Sequence, residues 1–174
     1  MVKKTDKIFV AGHRGLIGSA ILRKLKSYGY KRIITIDKKK LNLLDQKKVE
    51  SFIKKIRPKA VIIAAARVGG ILANNDYKAK FIYENLTIQN NIIHSSYLAG
   101  VKNLIFLGSS CIYPKKTKQP IKEKYFMTGP LEETNDAYAI AKIAGLKMCM
   151  EYSKQYKINY KTLMPANMFG SNDN

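Results

Sequence analysis

Residues 7–29 read KIFVAGHRGLIGSAILRKLKSYG. Lys7–Ala11 is a short apolar run with strand character. Gly12, Gly15 and Gly18 follow in a GxxGxxG turn. From Ser19 the pattern SAILRKLKSYG is amphipathic and stops at Gly29, as a surface helix does. A strand, a glycine turn and a helix in direct succession make a corner suited to a dinucleotide. The first glycine permits the tight turn, the second lets the backbone approach a pyrophosphate, and the third lets the helix pack close to the strand. The helix N-terminus presents unpaired N–H groups and a positive dipole end to the phosphates.

The same alternation continues downstream. RIITI (32–36), AVIIAA (60–65), NLIFL (103–107) and YKTLMP (160–165) read as further strands. Between them, Asp45 can cap a helix QKKVESFIKKI that stops before Pro58. Longer helices are expected over 77–99 and 136–155, and a polar loop carrying Pro114, Pro120 and Pro130 precedes the second of them. Near-continuous apolar strands separated by helices predict a parallel sheet covered on both faces. Right-handed crossovers make it a doubly wound, Rossmann-type α/β domain over residues 1–174. The last residues, FGSNDN, read as a turn just past a strand.

Composition narrows the function classes. The 174 residues are 46% hydrophobic, ordinary for a globular chain. The formal charge of +20 comes from lysines spread along the sequence, Lys24, Lys54, Lys78 and Lys154 among them. Spread lysines are solvated faces, so no nucleic-acid partner is expected. The longest apolar runs, such as AVIIAAA at 60–66, are far too short to span a membrane. Residues 1–12 lack the apolar core of a secretion signal. Two cysteines, Cys111 and Cys149, make no disulfide framework and fit a reducing, cytoplasmic setting. No cluster has metal-ligand spacing. His13 lies inside the glycine turn, whereas His94, beside Ile92, Ile93 and Tyr97, reads as a packing residue.

The choice of dinucleotide is open at this point. Asp37 ends the second strand, where a carboxylate would hold a ribose 2′-hydroxyl and favour NAD. Arg14 and the run Lys38–Lys40 lie beside it, and cations there would hold a 2′-phosphate and favour NADP.

A second constellation follows the fourth strand. GSSCIYP (108–114) puts two serines and a cysteine at a strand's C-terminal end. In NDAYAIAKIAGLK (135–147), Tyr138 and Lys142 are spaced to share one helical face. A free phenol, with a pKa of about 10, exchanges protons poorly at neutral pH. A nearby ammonium and a nicotinamide cation would lower that value. Tyr138 would then exchange a proton with an oxygen on a carbon that gains or loses hydride, and Ser109 or Ser110 would hold that oxygen.

These elements, in this order, resemble the extended short-chain dehydrogenase/reductase family. AGHRGLIGSA (11–20), AAARVGGILANN (64–75), FIYENLTIQNNIIH (81–94), LGSSCIYPK (107–115), QPIKE (119–123), YAIAKIAG (138–145) and MPANMFG (164–170) resemble one branch of it closely. Its members epimerise and then reduce a GDP-bound 4-keto-6-deoxy-mannose with NADPH. The resemblance implies that Ser109, Tyr138 and Lys142 form the reduction triad and that Cys111 is an acid/base for epimerisation. It implies cofactor contacts from Gly12, His13, Arg14, Gly15, Leu16, Ile17 and Gly18, from Lys38, Asn42, Leu43 and Ala65, and from Leu107, Gly108, Ser109 and Ser110. Lys142 and Pro165, Ala166, Asn167 and Met168 complete that set. Lys38 stands where the family tends to carry arginine, and Arg67 where related enzymes often have lysine. Cys149 is expected in the core.

The resemblance also implies a GDP-sugar substrate and a homodimer paired through helices 77–99 and 136–155, with Met148 and Tyr152 as candidate contacts. The family's histidine partner to the cysteine and its substrate-gripping lobe have no counterpart in these residues, so little turnover is expected from the 174 residues alone. Three other readings are another NAD-dependent sugar-nucleotide epimerase or dehydratase, which Cys111 argues against, a catalytically dead nucleic-acid-binding module, which the intact Ser109, Tyr138 and Lys142 argue against, and a fragment inactive by itself.

Overall fold

A computed structural model describes residues 1–170; the turn expected at the last four positions lies outside them. Five strands, β1 (Lys7–Ala11), β2 (Arg32–Ile34), β3 (Ala60–Ile63), β4 (Asn103–Leu107) and β5 (Asn159–Leu163), form one sheet in the order β2-β1-β3-β4-β5. Every pairing is parallel. The helices are α1 (Leu16–Ser27), α2 (Gln46–Ile56), α3 (Ile71–Asp76), α4 (Lys78–Leu98) and α5 (Asp136–Tyr156).

The strand order creates the site. From β1 the chain runs outward to β2, then crosses back over β1 to β3. The connections above β1 and β3 therefore diverge, and a crevice opens at the carboxyl ends of these two strands. The strands feeding it are shut from solvent: Phe9, Val10, Val61 and Ile63 are 0% exposed. Burying each such side chain contributes about 1.5–3 kcal/mol, which makes the sheet a rigid base for the loops above it.

Local chemistry explains the helix bounds. The Asp45 side chain accepts from Lys48 N–H at 3.0 Å and caps α2. That contact, with the Lys48 ammonium, holds the Asp45 carboxyl below its ordinary value. Arg57 ends the helix in the left-handed region, at φ 44°, directly before Pro58. α1 starts at Leu16, three residues earlier than its amphipathic pattern, because Gly15 is its N-cap and Gly18 is already buried in its first turn.

Other expectations need correction. β2 ends at Ile34 instead of Ile36; it lies at the sheet edge, and its pairing with β1 runs from Arg32 to Ile34. β5 ends at Leu163, before Met164 and Pro165. α3 was not anticipated. Met148 and Tyr152 are partly buried and pack against the core.

Candidate functional site

The glycine turn is built from close backbone approaches. Gly12 has φ +84°, and a Cβ there would lie 2.5 Å from the Ala65 backbone nitrogen. A Cβ on Gly18 would lie 2.0 Å from the Gly12 carbonyl oxygen. The turn therefore packs against the end of β3 with no room for side chains at these two positions. Beside it opens a cavity of about 870 Å³. Gly12, His13, Arg14, Gly15, Leu16, Ile17, Gly18, Lys38, Asn42, Leu43 and Ala65 all line it, as do Asp37 and Arg67.

At one end of this cavity the residues that favour different dinucleotides touch each other. Arg14 Nε is 2.8 Å from Asp37 Oδ1, and His13 Nε2 is 3.3 Å from the same oxygen. Lys38 is exposed beside them. The adjoining wall is pinned by backbone contacts: Asn42 Oδ1 accepts from Leu44 N–H at 3.1 Å, and Asn91 on α4 donates to the Leu43 carbonyl at 2.9 Å. The opposite wall depends on Asn85, which the sequence reading passed over. Its amide accepts from Arg67 N–H at 2.8 Å and donates to the Arg67 carbonyl at 3.0 Å. Arg67 in turn pairs with Glu84 at 3.1 Å.

The second constellation sits at the carboxyl end of β4, outside the lining of that cavity. Lys142 is 4% exposed, donates to the Leu107 carbonyl at 2.8 Å, and lies 5.5 Å from the Tyr138 ring centroid. Burial brings the Lys142 ammonium down to about 8. Cys111 belongs to a short 3₁₀ turn, Ser110–Ile112, whose preceding residue Ser109 accepts from the Cys111 N–H at 3.5 Å. Ser109, rather than Ser110, is thus turned toward the cysteine.

Burial raises the Cys111 thiol, while the Ser109 hydroxyl, the Lys142 charge and the Asn135 side chain pull it back down. Asn135 immediately precedes α5, and nothing in its spacing to Cys111 marked it. In the chain itself, burial pushes the Tyr138 phenol above its ordinary value, and the nearby Cys111 charge adds to the rise. The Lys142 ammonium is directed at Leu107 instead of at the phenol oxygen.

The remaining candidates lie outside the cavity lining. Leu107 ends β4 and accepts from Lys142, Gly108 follows it, and Pro165, Ala166, Asn167 and Met168 follow β5. Cys149 is buried in the core with its thiol pushed up to about 12. His94 Nδ1 shares a 2.7 Å hydrogen bond with the Tyr152 hydroxyl, far along α4 and α5 from Tyr138.

The profile of the NAD dependent epimerase/dehydratase family matches residues 8–174. The chain belongs to this family. Within it, the chain is 56% identical over 174 residues to a putative GDP-L-fucose synthase 2 of Arabidopsis thaliana, covering 100% of this chain and 53% of that protein. It is 50% identical over 169 residues to the GDP-L-fucose synthase of Escherichia coli (strain K12), covering 97% and 53% respectively. The chain spans about half the length of the curated relatives it matches.

Among solved structures, a GDP-mannoheptose C4 reductase from Campylobacter jejuni with NADP bound superposes with a TM-score of 0.96 at 40% identity, covering 100% of this chain and 55% of that one. A GDP-L-fucose synthetase from Naegleria fowleri bound to NADP superposes with a TM-score of 0.89 at 32% identity, covering 100% and 57%.

Proposed function

We propose that the protein acts as a GDP-L-fucose synthase, converting GDP-4-keto-6-deoxy-D-mannose to GDP-L-fucose by epimerisation and NADPH-dependent reduction. One observation carries the reading. A thiol lies among the candidate reduction residues at the end of β4: Ser109 accepts from the Cys111 N–H at 3.5 Å, and Lys142, which donates to the Leu107 carbonyl at 2.8 Å, lies 5.5 Å from the Tyr138 ring centroid. A simple 4-epimerase has no use for that thiol.

The residues of the large cavity fit the dinucleotide. The backbone cradle that starts at Gly12 leads into the N-terminus of α1 at Leu16, where phosphates are stabilised. Arg14 and Lys38 would hold the 2′-phosphate, and Asn42 and Leu43 would lie against the adenine. When bound, NADPH supplies the hydride that reduces the ketone.

The protein's own groups handle the protons. Cys111, as thiolate, removes the proton from a carbon flanking the ketone, and inversion is completed when a second acid returns a proton to the opposite face. The Ser109 hydroxyl and Tyr138 hold the ketone oxygen and stabilise the negative charge that develops there. In the reduction Tyr138 gives its proton to that oxygen. A phenol kept protonated by burial is suited to this donor role. Lys142 anchors the end of β4 through Leu107 and offers a cation beneath Tyr138. Neither histidine of the chain is placed with Cys111: His13 faces Asp37 and His94 faces Tyr152. The second acid/base therefore comes from another residue type or from outside these residues.

The same reading makes the protein a cytoplasmic homodimer. Its α4 and α5 leave Tyr83, Leu98, Ile140 and Met150 exposed for pairing; among the described residues no helix is long and apolar enough to cross a membrane.

The test separates the two half-reactions in the whole protein. Cys111→Ser should abolish incorporation of solvent deuterium at the carbons flanking the ketone, read by NMR, while NADPH oxidation persists on the unepimerised ketone. Loss of both, or of neither, would remove the acid/base role.

A further inference from the structure

We infer that Tyr97 on α4 and Tyr156 on α5 form a site of oxidative modification: a one-electron oxidant joins their rings through a carbon–carbon bond that fastens the two helices together. The site is independent of the reaction proposed above.

The rings already stand in contact. Tyr97 lies one residue before the end of α4, and Tyr156 is the last residue of α5. Their centroids are 4.1 Å apart and their planes 28° from parallel. Aromatic pairs more commonly keep their centroids about 4.5–7 Å apart. Burial, and a hydrogen bond shared with the Tyr156 hydroxyl, raise the Tyr97 phenol above its ordinary value. With the hydroxyls bonded to each other the rings overlie head to head, and ortho carbons face ortho carbons.

The surroundings supply a proton acceptor. Tyr152 lies edge-on to both rings, at 5.4 Å from each. Its hydroxyl shares a 2.7 Å hydrogen bond with His94 Nδ1. An imidazole that takes up a phenol's proton eases the loss of its electron, so an oxidising equivalent has an entry beside the stacked pair.

The step balances within the pair. Each phenol gives one electron to the oxidant and one proton to a base. The two radicals combine at their ortho carbons, and the hydrogen on each of those carbons moves to the phenolic oxygen. The product keeps both hydroxyls and has lost two hydrogens; two equivalents of oxidant are each reduced by one electron. Because the two helices hold the rings together, coupling within the chain outruns collisions between chains.

The experiment exposes the dilute protein to photogenerated tris(bipyridyl)ruthenium(III) and maps its tryptic peptides by mass spectrometry. Trypsin releases Tyr156 in residues 155–157 and Tyr97 in residues 81–102. These two peptides should appear joined, two hydrogens lighter than their sum, from protein that runs as a single chain under denaturing conditions. Tyr97→Phe and Tyr156→Phe should each lower the joined product at least about tenfold. The linked protein should melt several degrees higher, because the bond closes the long loop between the two positions. Absence of the joined peptide from wild type, or links found only between chains, would overturn the inference. Its persistence in Tyr97→Phe would move the bond to Tyr83, which shares the 81–102 peptide, and would overturn it equally. A linked protein with an unchanged melting temperature would show that the bond does not fasten the helices.

Discussion

At the scale of single residues, the reactive group is the Cys111 sulfur, and its neighbours set how readily it ionises. Lys142 and Asn135 both lower the thiol against the burial that raises it. Removing either one should move its titration upward. The check is the pH dependence of iodoacetamide alkylation at Cys111: the midpoint should rise in Asn135→Ala and in Lys142→Met, while buried Cys149 stays unreactive.

The identities of Ser109, Cys111, Tyr138 and Lys142 were legible because motif spacing carries them. Their protonation was not. The direction of the Tyr138 shift depends on burial and on where the Lys142 ammonium points, and both emerge only when β4, its turn and α5 pack together. Asn135 escaped for a related reason. An asparagine before a helix reads as a cap, yet it makes no side-chain cap hydrogen bond and serves the cysteine instead.

At the scale of elements, the glycines show what each packed surface demands. Gly145 on α5 faces β4, and an added Cβ would lie 2.6 Å from the Phe106 ring and 2.8 Å from Gln89 Oε1. Alanine favours a helix over glycine by about 1 kcal/mol. Phe106 is 1% exposed and cannot yield, and overpacking costs about 1–3 kcal/mol. The clash should win, and Gly145→Ala should lower Tm by several degrees in a thermal melt. Gly18→Ala should act on function first, because the displaced group is the Gly12 carbonyl of the phosphate cradle; NADPH titration should show binding lost while helical circular dichroism persists.

α2 could be read in full from Asp45 and Pro58, since its stop signals are local. α3 could not: ILANND follows two glycines, is only six residues long, and is held by Asn74 donating to the Gly69 and Gly70 carbonyls. β2 looked longer than it is because an apolar sequence does not disclose where pairing with its neighbour stops.

At the scale of the whole molecule, one buried cation ties stability to pH. Lys142 falls from its ordinary 10.5 to about 8, which corresponds to about 3 kcal/mol of destabilisation when it is charged. Between those two values the unfolded chain holds a proton that the folded chain has released. Stability from this group therefore rises with pH through that window. Cys149, Tyr138 and Tyr160, all raised by burial, act oppositely once the unfolded thiols and phenols begin to ionise above about pH 9. Comparing Lys142→Met with wild type isolates the lysine. The variant should be the more stable near pH 7 by urea unfolding, and its advantage should shrink toward pH 10. An advantage independent of pH would mean that the ammonium carries no such penalty.

The doubly wound sheet itself was legible at this scale, because alternation of apolar runs with helical stretches leaves few other architectures. At the far ends of α4 and α5, away from both sites, Tyr97 and Tyr156 stack at 4.1 Å, and Tyr152 lies edge-on to each of them and parallel to Tyr160 at 6.3 Å. The chain has eleven tyrosines and no tryptophan. Its near-ultraviolet dichroism is therefore free of indole bands, and rings fixed at such separations couple their transitions into a signal that free tyrosines lack. The parting of the two longest helices at that end is an optical event, separable by wavelength from the melting of the backbone.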